Sequence, residues 1–227
     1  MVDLIPIKKK YKYVSLKRQD SPEGRRYIYG DERLPSVTTI LSATKKDKEA
    51  LEAWIKRVGP EEADRIKNEA GRVGTYLHEV IERMVAFRDL PRPTNWEMCK
   101  GYEMGYKIIN TYFRNVNEIW GSEVSLYYPE KYAGTTDLVG VYRDKPAIID
   151  FKQSHKPKRR EWIEDYFCQL AAYAMAHDEI HGTTIDNAVI LMAVRSDGST
   201  AEFSTAGREF KGYKEMWMRK VDEFYEL

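Results

Sequence analysis

The pattern of hydrophobic and polar positions divides the chain into a first half with mainly helical periodicity and a second half of short apolar runs. In the first half, apolar residues recur at intervals of three and four, which is typical of amphipathic helices. Gly59-Pro60 ends the first helical pattern, and Gly71 and Gly74 are candidate interruptions of the second. The predicted helices cover about residues 47–57, 61–87 and 95–119.

Shorter patterns precede these helices. Residues 11–14 and 27–29 alternate around aromatic side chains, and the turn signal at 21–24 lies between them, so we expect a β-hairpin. A short helix follows it, with Ser36 and Thr38 as the best N-cap candidates.

After residue 121 the apolar runs shorten, become rich in β-formers and are separated by turn residues. Three adjacent strands, most simply a meander, are followed by a helix, a two-stranded hairpin and a closing amphipathic helix. This order predicts an α/β (α+β) core with a helical N-terminal elaboration. We expect one domain over 1–227, with the hairpin and helices in 1–120 and the sheet core in 121–227. The predicted strands are 124–128, 134–142, 147–152, 188–194 and 201–204, and the helices are 161–180 and 209–225.

The near-neutral composition implies that any polyanionic partner, such as a nucleic acid, must bind to a local basic patch. Among 227 residues, 37 Lys and Arg stand against 36 Asp and Glu, a formal charge of +1. Residues 1–26 and 152–160 each sum to +5, which leaves −9 for the remainder. With 42% hydrophobic and 32% charged residues, the chain is expected to be a folded, soluble protein.

Two further observations exclude classes of protein. Cys99 and Cys168 are too few for a disulfide framework, a four-cysteine zinc site or a four-cysteine iron–sulfur cluster. No apolar run approaches a membrane span, and the start, with Asp3 ahead of its lysines, does not resemble a signal peptide. We expect a cytoplasmic protein of a bacterium or a virus-infected cell, with no membrane partner.

The sequence around residue 150 is the strongest chemical signal. Alternation along a strand places Asp150 and Lys152 on one face, with Ile149 and Phe151 on the other. Asp137, on the preceding strand, could converge with Asp150 on one Mg²⁺, and the lysine would then orient water or stabilise charge on a phosphate. The alternative is an exposed Asp–Lys pair and an unrelated turn residue.

Three other groups are candidates. His78 lies one helical turn before Glu82, and an imidazole beside two carboxylates suits Mn²⁺ or Mg²⁺, although a helical histidine is more often structural. Gln169 and Tyr173 share a helical stripe that either packs or reaches a site. The basic loop after the candidate strand contacts phosphate or is merely solvated; it contains Lys156, Lys158, Arg159 and Arg160.

Together these segments resemble the PD-(D/E)xK nuclease superfamily, in particular its RecB-like branch and the group of mitochondrial genome maintenance and phage exonucleases. The resemblance spans residues 34–173 in the family's order. The motifs that carry it are Leu34-Pro35-Ser36-Val37-Thr38-Thr39-Ile40-Leu41, Gly74-Thr75 with His78 and Glu82, Glu123 before Gly134-Thr135-Thr136-Asp137, Ile149-Asp150-Phe151-Lys152, and Gln169 with Tyr173.

The resemblance implies a restriction-endonuclease-like core, a central mixed sheet flanked by helices, that binds one or two Mg²⁺ or Mn²⁺ ions. It implies metal ligation by His78, Asp137, Asp150 and the Phe151 carbonyl, with Asp137, Asp150 and Lys152 catalytic. Glu82, Glu123, Gln169 and Tyr173 would support the site. DNA would be contacted by Ser36, Thr38, Lys156, Lys158, Arg159 and Arg160.

The expected activity is metal-dependent hydrolysis of DNA, by an exonuclease acting on single strands or ends. A structure-specific endonuclease and a nucleic-acid-binding processing partner with little cutting are the alternatives. The expected protein is a monomer, with DNA and replication or recombination proteins as partners. Relatives often carry Thr or Ser after the lysine, whereas this chain has Gln153. The sequence also contains no phosphate-binding loop motif of the kind that a helicase domain carries.

Overall fold

The computed structural model describes residues 7–45 and 49–227, which form a five-stranded mixed sheet, a separate three-stranded sheet and six α-helices. The strands are β1 (Lys17–Ser21), β2 (Gly24–Tyr29), β3 (Glu32–Pro35), β4 (Val116–Tyr128), β5 (Tyr132–Tyr142), β6 (Lys145–Ser154), β7 (Asn187–Val194) and β8 (Thr200–Ala206). The helices are α1 (Val37–Ala43), α2 (Glu49–Val58), α3 (Pro60–Val85), α4 (Trp96–Tyr112), α5 (Glu164–His181) and α6 (Gly207–Glu226).

The central sheet has the order β4-β5-β6-β7-β8. β4, β5 and β6 form the predicted antiparallel meander, and β7 lies parallel to β6 because the chain returns through α5. β8 closes the sheet as an antiparallel hairpin with β7. The predicted α+β fold, with a mixed sheet flanked by helices, is confirmed.

Alternation along the central strands divides the core into two layers. On β7, Ala188, Ile190 and Met192 belong to the layer that also contains residues of α1, α5 and α6. Their neighbours Val189 and Leu191 belong to the layer packed with α3 and α4. Both faces of the sheet are therefore covered, which explains why β7 is apolar at almost every position.

Two predicted elements are wrong in extent. The first hairpin is instead the three-stranded sheet β1-β2-β3, and residues 11–14 lie in no strand. The predicted helix 95–119 ends at Tyr112, and β4 begins at Val116. β4 contains two register shifts, so its buried residues there are Val116, Ile119 and Trp120, and their irregular spacing resembles that of a helix more than a regular strand.

Helix boundaries differ at three other places. α3 continues through Gly71 and Gly74, because a helical glycine costs only about 1 kcal/mol when a long apolar stripe is buried. α5 begins at Glu164, after a 3₁₀ turn at Arg160–Trp162. The predicted start of the helix at residue 47 lies outside the described residues.

Residues 11–13 pack against α5 instead of pairing in a sheet. The Tyr11 ring lies 4.9 Å from the buried His177 ring, and Tyr13 Oη lies 3.1 Å from His177 Nε2. His177 Nδ1 lies 2.8 Å from Thr183 Oγ1, whose hydroxyl donates to Asp178 Oδ1. This chain of donors assigns the proton to Nδ1, so Tyr13 donates to Nε2 and the imidazole is neutral.

α3 and α4 approach closely because two glycines of α4 face α3. A Cβ on Gly101 would lie 2.4 Å from Tyr76 Cβ, and one on Gly105 would lie 2.1 Å from Val80 Cγ1. The absence of side chains at these two positions therefore sets the distance between the helices. Within the described ranges, no helix combines the length and apolarity that a bilayer span requires.

Replacing Gly105 with Ala should destabilise the protein by about 1–3 kcal/mol, because the methyl group must push α3 and α4 apart. The matched control is Gly212→Ala on α6, where an added Cβ meets nothing within 4 Å. That change should stabilise the protein by about 0.5–1 kcal/mol through helix propensity. Urea unfolding of both variants measures the difference, and two shifts of the same sign would contradict the packing argument.

The neutral, buried His177 should make stability depend on pH. Burial, assisted by the nearby His181, lowers the pKa of His177 to about 3, below the value near 6.5 expected when unfolded. The unfolded chain therefore binds a proton below pH 6.5 that the folded protein excludes, so stability falls as the pH drops from about 6.5 towards 3. Over this pH range, His177→Gln should lose less stability than the wild type. Urea unfolding at several pH values measures this, and free energies of unfolding that fall in parallel for the two proteins would refute a neutral His177.

Candidate metal centre

The centre forms where β5 and β6 separate. Their last paired residues are Leu138 and Ile149, and Asp137 lies one position beyond. Asp137 Oδ2 accepts a 2.8 Å hydrogen bond from the backbone N–H of Phe151. The carboxylate thus takes the place of a strand carbonyl and gives the Phe151 amide a partner at the point of separation.

Asp150 and Lys152 lie on β6 and form an ion pair in which Asp150 is buried and Lys152 is half-buried, on the opposite face from Ile149 and Phe151 as predicted. Lys152 Nζ donates a 2.8 Å hydrogen bond to Asp150 Oδ1 and lies 2.6 Å from Oδ2, which accepts no aligned hydrogen bond. Burial raises the pKa of Asp150 to about 6, against the opposing effect of Lys152. Burial would lower the pKa of Lys152, but Asp150 and Asp137 outweigh it and raise that pKa.

His78 joins these strands from α3. Its Nδ1 lies 3.5 Å from Asp137 Oδ2 and 3.8 Å from Glu123 Oε1. Burial opposes protonation of the imidazole, but the charge of Asp137 and the nearby carboxylate of Glu123 raise the pKa of His78 to about 9. One ligand atom from each of His78, Glu123 and Asp137 lies within 4.8 Å of the other two.

Glu123 reaches this cluster through an unusual backbone conformation. It lies in β4 between the pairs Ser122–Leu138 and Val124–Thr136, and so is level with Asp137 on β5. Its φ of 51° is in the left-handed region, which a non-glycine residue adopts at a cost of about 1–3 kcal/mol. Phe87, Glu130, Arg143 and Asp144 share this conformation, so the φ alone assigns no role; what distinguishes Glu123 is that its carboxylate lies beside His78 and Asp137.

The cluster suits a hard divalent ion. An imidazole and two carboxylates supply one nitrogen and several oxygens. Neighbouring ligands of an ion at about 2.1 Å lie about 3 Å apart, so the observed 3.5 and 3.8 Å would shorten when an ion binds. Within the described residues, the group selected by these distances consists of His78, Glu123 and Asp137, whereas the carboxylate of Asp150 is engaged by Lys152.

A cavity of about 740 Å³ opens onto the cluster. Its acidic wall contains His78, Glu82, Glu123 and Asp137. Glu82 lies one turn beyond His78, with its carboxylate 3.6 Å from Arg88 Nη1. Gly74, Thr75, Glu79, Ser125, Gly134, Thr135, Val37 and Leu16 complete much of the lining.

The structure places four other predicted residues at this cavity. Ser36 caps α1 by accepting from Thr39 N at 3.0 Å, and both Ser36 and Thr38 line the cavity. Gln169 Nε2 donates to Tyr173 Oη at 3.3 Å on α5, and both also line it. The Phe151 side chain is buried in the core, and its carbonyl as a ligand stays a prediction.

Gln153, where relatives often carry a hydroxyl, has a structural contact. Its Nε2 donates to Ala70 O on α3 at 3.2 Å. The bond ties β6 to the helix that carries His78, so this departure fixes the distance between the two halves of the centre.

The basic loop lies away from the cavity lining. Arg160 donates to Glu209 Oε1 and Ser204 O, at 2.8 and 2.9 Å, and is therefore engaged with α6 and β8. The Arg159 guanidinium lies 5.4 Å from the Trp162 ring centroid. DNA contact by Lys156, Lys158, Arg159 and Arg160 stays a prediction.

Sequence reasoning missed Arg18 and Arg25, which also line the cavity. Both belong to residues 1–26, which sum to +5, but net charge alone does not indicate where in the fold they lie. The signal was present in the turn at 21–24, which pairs Ser21 with Gly24 and so brings Asp20 opposite Arg25.

Removing one member of the buried ion pair should be more harmful than removing both. Lys152→Met leaves the Asp150 carboxylate buried without its partner, which should cost about 3–5 kcal/mol. The double variant Asp150→Leu with Lys152→Met should recover most of that loss. Urea unfolding in the presence of a chelator tests this expectation, and equal stabilities of the single and double variants would contradict it.

Comparison with known proteins finds distant relatives. No family model matches the chain. The chain is similar to mitochondrial genome maintenance exonuclease 1 of Xenopus tropicalis, with 28% identity over 204 residues, covering 84% of this chain and 57% of that protein. The human protein of the same name is 28% identical over 207 residues, covering 85% and 58%. The chain thus spans less than two thirds of these relatives.

Other comparisons add little. A solved structure from Eubacterium rectale has a TM-score of 0.48 at 12% identity, covering 68% of this chain and 64% of that one, and is too distant to bear on function. The named relatives come from animals, so they give no support to the expected bacterial or viral source. The chain does have sequence relatives that are named exonucleases.

Proposed function

We propose that the protein is a divalent-metal-dependent DNA nuclease with a restriction-endonuclease-like core. The observation that carries this proposal is the convergence of His78, Glu123 and Asp137 on one cavity, beside a lysine that is kept charged by Asp150. A pure binding protein would gain little from acidic groups where phosphates must approach. The exonuclease names of the sequence relatives support the same reading.

His78, Asp137 and Glu123 would hold one Mg²⁺ or Mn²⁺ ion, with Asp150 and the Phe151 carbonyl as further ligands of it or of a second. When bound, such an ion lowers the pKa of water and neutralises charge on the scissile phosphate. Glu82 would hold water near the ion from the same wall. An iron–sulfur cluster is not part of the proposal.

Lys152 would act as a cation and donor. Its raised pKa keeps the ammonium protonated at neutral pH, so it is unsuited to removing a proton. Asp150 and Lys152 are not among the residues that line the cavity but act on His78 from beside it. Asp150 holds the ammonium there, and from that position it would orient the attacking water or stabilise charge developing on the phosphate. Gln169 and Tyr173 would brace the opposite side of the cavity.

We further propose an exonuclease that acts on single-stranded DNA or DNA ends. A cavity of about 740 Å³ is of the size that encloses a small ligand, and it therefore fits about one or two nucleotides of one strand better than a duplex. The proposed unit is a single domain over 1–227 that works as a monomer. Replication or recombination proteins are the proposed partners.

Incubation with end-labelled single-stranded DNA and Mg²⁺ or Mn²⁺ should give cleavage that a chelator abolishes. Glu123→Gln should reduce cleavage by at least about tenfold, because it removes a charged ligand. Glu118→Gln, on the same strand but outside the cavity lining, is the matched control and should cut normally. Cleavage that persists in chelator would refute the metal mechanism.

Lys152→Met should lose cleavage by about two orders of magnitude or more while binding DNA with near-normal affinity. Comparing linear with covalently closed single strands separates the modes of cutting. Resistance of the circle supports an exonuclease, cutting of both substrates supports an endonuclease, and binding without cutting supports a processing partner.

A further inference from the structure

One face of the β1–β2 hairpin carries two arginines around one carboxylate. Arg18 and Asp20 are two positions apart on β1, and Arg25 on β2 is paired directly with Asp20, so all three share a face. Both arginine Nε atoms donate to Asp20 at 2.8 Å, one to each oxygen. The Arg25 and Arg18 guanidinium groups lower the pKa of Asp20, so the trio carries a net charge of +1.

The position of Arg25 is fixed by its backbone. Arg25 N donates to Thr39 Oγ1 at 2.9 Å, and Arg25 O accepts from Thr39 Oγ1 at 3.0 Å and from Ser36 N at 2.8 Å. The preceding Gly24 has φ 120°, and a Cβ there would lie 2.5 Å from Thr39 Cγ2. This close approach holds the hairpin against the start of α1, so the position of the face that carries Arg18, Asp20 and Arg25 is fixed.

The arginines retain unused donors. Among the described residues, none accepts a hydrogen bond from the Nη atoms of Arg18 or Arg25, since Asp20 engages only their Nε atoms. Each guanidinium can therefore present a pair of donors to another oxyanion. Both side chains line the cavity that contains His78, Glu123 and Asp137.

The cavity therefore has one wall that is acidic and suits a metal ion, and one wall that is basic. We propose that Arg18 and Arg25 form a phosphate-binding site for the backbone of a single DNA strand inside this cavity. This proposal rests on the proposed function, because the ligand is the nuclease substrate. A phosphate next to the cleaved one would lie against the hairpin, which Tyr27 and Leu34 pack against Ala133 of β5.

The test measures binding of a labelled single-stranded oligonucleotide in chelator over a range of salt concentrations. The double variant Arg18→Gln with Arg25→Gln should weaken binding about tenfold or more and reduce the salt slope by about 0.7 for each phosphate that the variant no longer binds. In cleavage assays with metal, KM should rise with less change in kcat, because these residues bind the substrate away from the reacting atoms.

Arg26→Gln is the matched control, since Arg26 has the same charge, neighbours Arg25 and lies on the opposite face. Its binding should stay within about twofold of the wild type. Asp20→Asn breaks both ion pairs yet keeps both arginines, so it should preserve or tighten binding. If the trio were only structural, Asp20→Asn would weaken binding as much as the double arginine variant does, and the proposal would be wrong.

The outcomes also separate this proposal from the proposed nuclease. If the wild type binds and cuts DNA, and the double variant does so as well as Arg26→Gln, the phosphate site alone is refuted. Arginine-dependent binding without any cutting would refute the nuclease and keep the phosphate site. A wild type that binds no single-stranded DNA would refute both.

Discussion

The centre depends on the separation of β5 and β6 beyond the pair formed by Leu138 and Ile149. Two strands that part inside a protein leave backbone amides without partners, which is costly when they are buried. Here Asp137 accepts from the Phe151 N–H, so the same carboxylate closes the ladder and faces the cavity. Because one oxygen is fixed by the backbone, the position of Asp137 is set by the sheet rather than by a flexible side chain. His78 and Glu123 approach Asp137 at this point.

Bringing several carboxylates together creates repulsion that the protein must offset. Asp150 is buried beside Asp137, and the ammonium of Lys152 compensates its charge. The raised pKa of His78 shows the same compensation on the α3 side, so an arriving divalent ion would displace a proton there. α3 holds His78 in place because α4 packs closely through its two glycines and Gln153 binds the Ala70 carbonyl. Stability and site geometry are thus coupled through the α3–α4 contact.

Strand alternation was sufficient to predict the central meander, the shared face of Asp150 and Lys152, and the proximity of Asp137, because each depends on local periodicity. The same reasoning failed at β4, where register shifts change the spacing of Val116, Ile119 and Trp120 to one that resembles a helix. It also gave no indication of the backbone at Glu123, since a left-handed residue inside a strand has no sequence signature unless it is glycine. Residues 11–14 were predicted as a strand because alternating tyrosines are typical of one. The contact of Tyr11 and Tyr13 with His177 depends on tertiary packing, which the local pattern does not contain.

Net charge by segment does not show which charges are already paired within the fold. Within residues 1–26, Lys8 and Lys10 both contact Glu118. Within residues 152–160, Arg160 contacts Glu209. Arg18 and Arg25 share a single acid and keep their Nη donors, so their charge remains available at the cavity. A chain with a formal charge of only +1 can therefore present both basic and acidic side chains to one cavity, because part of its other charge is already paired within the fold.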